Sequence, residues 1–145
     1  MDDAEQLMVR VRSELLPAEG WETTLRTLAD EAAQAIGQGI EAAHVYADAH
    51  ARELSGSTLI GMGLAVPHAR VPGLKRAGVY LACSRAGIAW PQEKAKLIAL
   101  LVVPLEMPEL HLQLLAQLVR WRRSLDESEV TSPGRLAVGL NRALG

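Results

Sequence analysis

Apolar residues recur at intervals of three and four in five segments, which are residues 4–16, 23–36, 40–54, 109–123 and 132–144. This spacing places the apolar side chains on one face of a helix, so each segment is predicted to be helical. Gly37 and Gly39 are expected to end the second helix, and Ser55 and Gly56 the third. Pro133 occupies a favourable early position in the last helix.

Short apolar runs between these segments predict strands. Residues 64–66 read as a buried strand that Pro67 ends, because proline has no backbone donor for a sheet. Residues 78–84 predict a second strand, and residues 87–91 a further short extended piece. Residues 97–103 are almost entirely apolar, which is typical of a strand buried on both faces at the centre of a sheet. The fold class is therefore α/β, with helices on the faces of the sheet.

Composition narrows the setting of this fold. A length of 145 residues suits one domain, and a net charge of −2 with scattered basic residues argues against a nucleic-acid partner or a polybasic membrane anchor. The single cysteine, Cys83, lies in an apolar run and is expected to fill the core. The sequence starts without a signal peptide and has no apolar run of membrane-spanning length, so we expect a cytoplasmic protein without membrane insertion.

The stretch with the clearest chemical potential is residues 58–70, T-L-I-G-M-G-L-A-V-P-H-A-R. Gly61 and Gly63 allow positive φ angles and a close approach to the backbone, and the strand before Pro67 is followed by His68 at a strand end or in the loop beyond it. An imidazole is partly unprotonated at neutral pH, which suits acceptance of an acyl or phosphoryl group, or ligation of a metal. A loop histidine without a role is equally consistent with this spacing.

Two further residues are candidates for a site. His111 falls in the first turn of the 109–123 helix and begins its apolar stripe, so its ring is expected to point inward. Such a histidine is more often a core residue, but a helix N-terminus favours anions, and ligands collect at the ends of central strands. Arg52, taken alone, fits the ordinary role of offsetting a helix dipole. His44 and His50 lie on different faces of one helix and are interpreted as surface or incidental residues.

Two blocks of the sequence resemble a known family. The segment R-E-L-S-G-S-T-L-I-G-M-G-L-A-V-P-H-A-R, residues 52–70, resembles the signature of phosphotransferase-system enzyme IIA domains of the fructose/mannitol class, which includes the nitrogen-regulatory IIA proteins. The segment P-E-L-H-L-Q-L-L-A-Q-L-V-R, residues 108–120, resembles the downstream helix of that family. The resemblance implies that residues 1–145 form one type 2 IIA domain, with a mixed sheet of about four to five strands flanked by helices.

The resemblance also implies roles for individual residues. His68 would accept a phosphoryl group from a phosphohistidine carrier of the HPr type, with His111 as its companion histidine and Arg52 as the arginine that neutralises the phosphoryl group. The supporting loop would comprise Thr58, Gly61, Gly63 and Pro67. The partners implied are the HPr-type carrier and either a IIB domain or a regulated transporter or kinase in a bacterial cytoplasm. No cofactor and no metal are expected.

Departures from the family pattern leave alternatives open. Leu59 stands where the family usually has glycine, Met62 stands where a polar residue is common, and the turn at residues 90–96 is short and lacks the usual Asp-Gly. One alternative is an interaction module that keeps the fold but has lost phosphotransfer; the joint presence of Arg52, His68 and His111 argues against it. A metal site at the two histidines lacks carboxylate or cysteine ligands at suitable spacing.

Overall fold

A computed structural model describes residues 7–17, 19–91 and 93–144. Within these residues the chain forms five strands and four helices. In chain order they are β1 (Met8–Val11), α1 (Trp21–Ile36), α2 (Ala42–Leu54), β2 (Leu64–Ala65), β3 (His68–Val71), β4 (Gly78–Ala89), β5 (Lys94–Pro104), α3 (Leu110–Ser124) and α4 (Pro133–Leu144). The four later helices of the sequence prediction are all confirmed, each within two residues at both ends.

The strands form one mixed sheet around β5. Strand β5 is antiparallel to β4 on one side, while β2 and then β3 run parallel to it along the other side. Strand β1 pairs in parallel with the far edge of β4. The prediction that residues 97–103 lie at the centre of the sheet is confirmed, as is the α/β fold class.

Helices cover both faces of the sheet. On β5, Ile98, Leu100 and Val102 belong to the core that α1 and α2 complete, whereas Leu101 and Val103 belong to the core that α3 and α4 complete. All five side chains are almost fully buried, which explains why this strand reads as a continuous apolar run instead of an alternating one.

The first segment of the sequence was assigned incorrectly. Part of the predicted helix at residues 4–16 lies outside the described residues, and the described part contains β1 at Met8–Val11. A spacing of four, as between Leu7 and Val11, is also an even number, so it puts side chains on one face of a strand as well as of a helix. Both side chains pack toward the α3 and α4 side, while Met8 contacts Tyr80 on the other side.

Two other strand predictions need correction. His68 follows β2 by three residues, as predicted, but it does not lie in a loop: it is the first residue of β3, because the chain resumes pairing with β5 immediately after Pro67. Residues 87–91 are not a separate piece: β4 continues to Ala89, with a register shift between Cys83 and Ile88 where the prediction had a break. Cys83 is buried in the core as expected, and burial raises the pKa of its thiol. In the part of the chain that the structure describes, every helix is too short or too polar to cross a bilayer.

We predict that Gly78→Ala destabilises the fold by roughly 1–3 kcal/mol, a typical cost of overpacking. A Cβ atom at Gly78 would lie 2.5 Å from the hydroxyl oxygen of Tyr80, and that side chain is only 1% exposed, so it has little room to move. Urea denaturation measures the change. Gly134→Ala is the matched control: its Cβ would meet no atom within 4 Å, so the helix propensity of alanine should leave stability unchanged or raise it by up to about 1 kcal/mol. Equal effects at both positions would contradict the packing explanation.

Candidate functional site

The His68 ring lies at the edge of the sheet, beside the first turn of α3. His68 is the first residue of β3 and pairs with Leu101 of β5. Its ring stacks on that of His111, with centroids 4.9 Å apart and planes inclined by 17°. Both rings are partly buried. The two histidines that the sequence singled out are therefore in direct contact, and the ring of His111 points inward as predicted.

A backbone carbonyl fixes the orientation of the His111 ring. Its Nδ1 atom lies 2.7 Å from the carbonyl oxygen of Pro108, in the loop that precedes α3. A carbonyl oxygen can only accept a hydrogen bond, so Nδ1 carries the proton. Nε2 is then the nitrogen of this ring that remains for another partner.

Two arginines line a cavity of about 240 Å³ next to His68. The side chain of Arg52 lines this cavity and also donates from Nη1 to the carbonyl oxygen of Gly56 at 2.8 Å, so it contacts the turn that follows its own helix. Arg70 follows His68 by two residues on β3, which places both side chains on the same face of the strand. Its backbone N–H donates to Asp48 of α2 at 2.7 Å. Arg70 was missed from the sequence, although the period of two along a strand could have revealed it.

The surroundings of His68 disfavour its protonated form. Burial is the largest cause, and the positive charges of His111, Arg52 and Arg70 add to it, so the pKa of His68 falls to about 4 from an ordinary value of 6.5. A hydrogen bond with the backbone of Val66 acts in the opposite direction. At neutral pH the ring is therefore uncharged and has a free lone pair.

The supporting loop adopts the backbone that its glycines suggested. Gly61 and Gly63 have φ angles of 89° and 70°, and Met62 between them also has a positive φ of 53°. A methionine is strained in this left-handed region, where glycine is not. Leu59, which like Met62 departs from the family pattern, forms an isolated bridge with Ala65.

A buried carboxylate anchors this loop. Glu53 is 5% exposed and accepts hydrogen bonds from the backbone N–H and the hydroxyl of Thr58. Thr58 in turn accepts the N–H of Val66, two residues before His68. Pro67 is buried, and its carbonyl oxygen accepts the N–H of Leu101 at 2.9 Å. Nothing in the sequence distinguishes Glu53 from a solvent-exposed glutamate in a last helical turn, so it was missed.

The two remaining histidines lie outside this site. His44 is exposed, as expected for a surface residue. His50 is more than incidental: its ring stacks between Trp21 and Tyr46 at 5.2 Å from each, and its Nε2 lies 2.6 Å from Glu22. Stacking on two aromatic rings gives it a packing role between α1 and α2.

The chemistry of the His68 site suits an anion. Arg52, Arg70 and His111 surround one neutral imidazole, and guanidinium groups are donors that match phosphate oxygens. Among residues 7–17, 19–91 and 93–144, no three histidine, cysteine, aspartate or glutamate side chains are grouped to hold a metal ion.

The sequence also matches the model of a known family. The sequence model described as "Phosphoenolpyruvate-dependent sugar phosphotransferase system, EIIA 2" matches residues 11–131, which is most of the chain. The chain belongs to this family. The matched residues of this EIIA 2 chain include both stacked histidines and both arginines of the site.

Solved structures share the fold. The nitrogen regulatory protein IIA-Ntr from Neisseria meningitidis is 22% identical with a TM-score of 0.73, and the match covers 92% of this chain and 91% of that one. IIA mannitol from Escherichia coli is 21% identical with a TM-score of 0.66, covering 98% and 97%. The same enzyme in its complex with phosphorylated enzyme IIB mannitol is 19% identical with a TM-score of 0.65, covering 97% and 94%.

We predict that His68 makes stability depend on pH between about 6.5 and 4. The folded-state pKa of His68, about 4, is below its ordinary value, so in this window the unfolded chain binds a proton that the folded chain does not. Lowering the pH therefore reduces the free energy of unfolding, by up to about 1.4 kcal/mol per pH unit. His68→Gln should flatten this part of the curve, measured by urea denaturation at several pH values. Identical slopes for the two proteins would show that His68 does not contribute.

We predict that Glu53→Ala lowers the free energy of unfolding by at least about 1–3 kcal/mol, because it leaves the buried N–H and hydroxyl of Thr58 without their acceptor. Thermal or urea denaturation measures this loss. Glu41→Ala, at the exposed residue before α2 whose side chain makes no capping hydrogen bond, is the control and should change stability by less than about 0.5 kcal/mol. A similar small change at Glu53 would refute the anchoring role.

Proposed function

We propose that this chain is a single phosphoryl-carrier domain in which His68 accepts a phosphoryl group from a phosphohistidine carrier of the HPr type. The observation that supports this most is the stacked pair of His68 and His111 beside a cavity lined by Arg52 and Arg70. The cavity holds a nucleophilic nitrogen and two guanidinium groups against one carboxylate, that of Asp48, so it can supply the positioning and charge stabilisation that phosphoryl transfer requires.

The transfer needs only one bond to form and one to break. The lone pair of His68 attacks phosphorus, and the N–P bond of the donor histidine breaks with its electron pair returning to the donor ring. No proton has to move when the donor ring is protonated on its second nitrogen, because that ring then departs neutral and the positive charge appears on the His68 ring as the new N–P bond forms. The low pKa of His68, to which burial contributes most, keeps nearly every molecule in the attacking form at neutral pH.

The surrounding cations have complementary roles after transfer. Arg52 and Arg70 would neutralise the phosphoryl oxygens, and His111 would donate a hydrogen bond from Nε2 when that nitrogen is protonated. The Pro108 carbonyl keeps the His111 ring in place while this happens. None of these roles needs a cofactor or a metal ion.

Apolar side chains near the site support docking of a protein donor. Two large apolar side chains close in sequence to site residues are exposed: Leu54, two residues after Arg52, at 68%, and Leu112, directly after His111, at 58%. Exposed apolar residues grouped around a polar centre are typical of protein interfaces. We propose that the phosphorylated form either passes the group to a IIB domain or signals to a transporter or kinase in a bacterial cytoplasm.

We predict that incubation with a phosphorylated HPr-type carrier adds one acid-labile phosphate, and that His68→Ala abolishes it. His111→Ala should slow transfer by about 10²–10³-fold, the usual cost of losing one donor to a transition state. Rates are measured by quenched-flow labelling and folding by circular dichroism. His44→Ala, which removes an exposed histidine of the same protein, should transfer at the wild-type rate.

Three outcomes would contradict this assignment. Phosphate label that persists in His68→Ala would show that another residue is the acceptor. An unchanged transfer rate in His111→Ala would show that the His111 ring has only a packing role. A wild-type protein that takes no phosphate from an active carrier would favour the interaction module, which binds partners without transfer.

A further inference from the structure

A second cavity, of about 400 Å³, lies at the opposite end of α3 from His111. It is formed where the Gly61–Gly63 loop, the first residues of β5 and the last turn of α3 meet, and it shares no lining residue with the cavity beside His68. Eleven residues of α3 separate His111 from Arg122, which is roughly 16 Å along the helix axis. The two cavities are therefore separate sites.

The lining of this cavity is strongly cationic. Its charged side chains are Lys94, Lys96, Arg122, Arg123 and Glu127, which is four cations with one carboxylate. The whole chain, by contrast, has a net charge of −2. Like charges gathered around one concave surface repel each other and raise the local concentration of anions. The distribution of charge thus points to an anionic ligand.

Arg122 is the most buried of these cations and is incompletely paired. It is 5% exposed, its Nε donates to the Met62 carbonyl oxygen at 3.0 Å, and its Nη2 donates to Glu127 at 3.1 Å. These are its hydrogen bonds among the described residues, so Nη1 is left for another acceptor. The Glu127 side chain is 76% exposed, and water weakens its attraction to the guanidinium. Nη1 is not among the buried atoms that lack a partner in the described residues, so it is accessible from the cavity to an anionic ligand.

A β-bulge directs the two lysines into the cavity. The backbone N–H groups of Lys96 and Leu97 both donate to the carbonyl oxygen of Gly63, at 2.8 and 3.0 Å. Two residues of β5 therefore lie opposite the single residue Gly63, which is the pattern of a β-bulge. Ala95 faces the α1 and α2 side, whereas Lys94 and Lys96 line the cavity beside the end of α3. The backbone therefore sets the side of β5 on which both lysines lie.

We propose that this cavity binds a small organic phosphate, a phosphate ester whose organic part lies against Met62 and Leu125. The cavity is within the size range of ligand pockets and is much larger than a bare phosphate. A phosphate ester carries close to two negative charges at neutral pH, and arginine binds phosphate oxygens through two parallel hydrogen bonds. Met62 is 44% exposed, so it offers an apolar surface to the organic part of the ligand.

Adenosine monophosphate is a suitable probe, with adenosine as the uncharged control. In NMR titrations of ¹⁵N-labelled protein at low salt, we expect adenosine monophosphate to shift the amide signals of Gly63, Lys96 and Leu125, and adenosine to shift none. Inorganic phosphate should shift the same signals with lower affinity, and added salt should weaken binding. Absence of binding, or shifts confined to Ser55 and Arg70 beside His68, would overturn the proposal.

Charge variants test the site directly. Lys94→Gln combined with Lys96→Gln removes two exposed cations and should weaken binding at least tenfold, whereas Glu127→Gln should strengthen it several-fold. Lys75→Gln combined with Arg142→Gln removes the same charge from exposed positions outside the cavity and should change affinity less than twofold. An equal loss in both double variants would mean nonspecific attraction and would refute the site.

The His68→Ala variant separates this proposal from the proposed function. Binding of adenosine monophosphate should be unchanged in that variant, because the second cavity and the cavity beside His68 share no lining residue. A marked loss of affinity would instead assign the binding to the His68 site.

Discussion

The position of His68 depends on the buried carboxylate of Glu53. Its hydrogen bonds to Thr58 tie the last turn of α2 to the loop that precedes β2, and Thr58 extends this connection to Val66. Arg52 precedes Glu53 on the same helix, so one interaction holds the arginine and the histidine-bearing strand in a fixed relation. A buried polar group is stable only when hydrogen-bond partners satisfy it, and both oxygens of Glu53 have a donor here.

The same cations that keep His68 neutral also suit the charge that a phosphoryl group would bring. Before transfer, burial and the positive neighbours disfavour a positive charge on the ring. After transfer, the local charge becomes negative, and those neighbours become favourable partners. One arrangement of Arg52, Arg70 and His111 therefore fits both states without a large movement of the backbone.

The sequence was most informative where pattern and local chemistry coincide. The apolar run at residues 97–103 correctly predicted the central strand, and the stripe that begins at His111 correctly predicted an inward-pointing ring. Other features depend on partners distant in the chain. The strand at Met8–Val11 exists because it pairs with β4, and His50 is ordered by stacking on Trp21. Neither contact is visible in a local spacing, and the same is true of the bond between Glu53 and Thr58.

The bulge at Lys96 and Leu97 has a consequence for the whole amino-terminal end of β5. An unbulged strand alternates strictly, so without the extra residue both lysines would turn toward the α1 and α2 layer and Ala95 toward the α3 and α4 layer. Two ammonium groups would then press against an apolar interior. The fold at this corner is thus sensitive to the number of residues more than to their identity, because the loss of one residue beside Lys96 would exchange the layers that these side chains face.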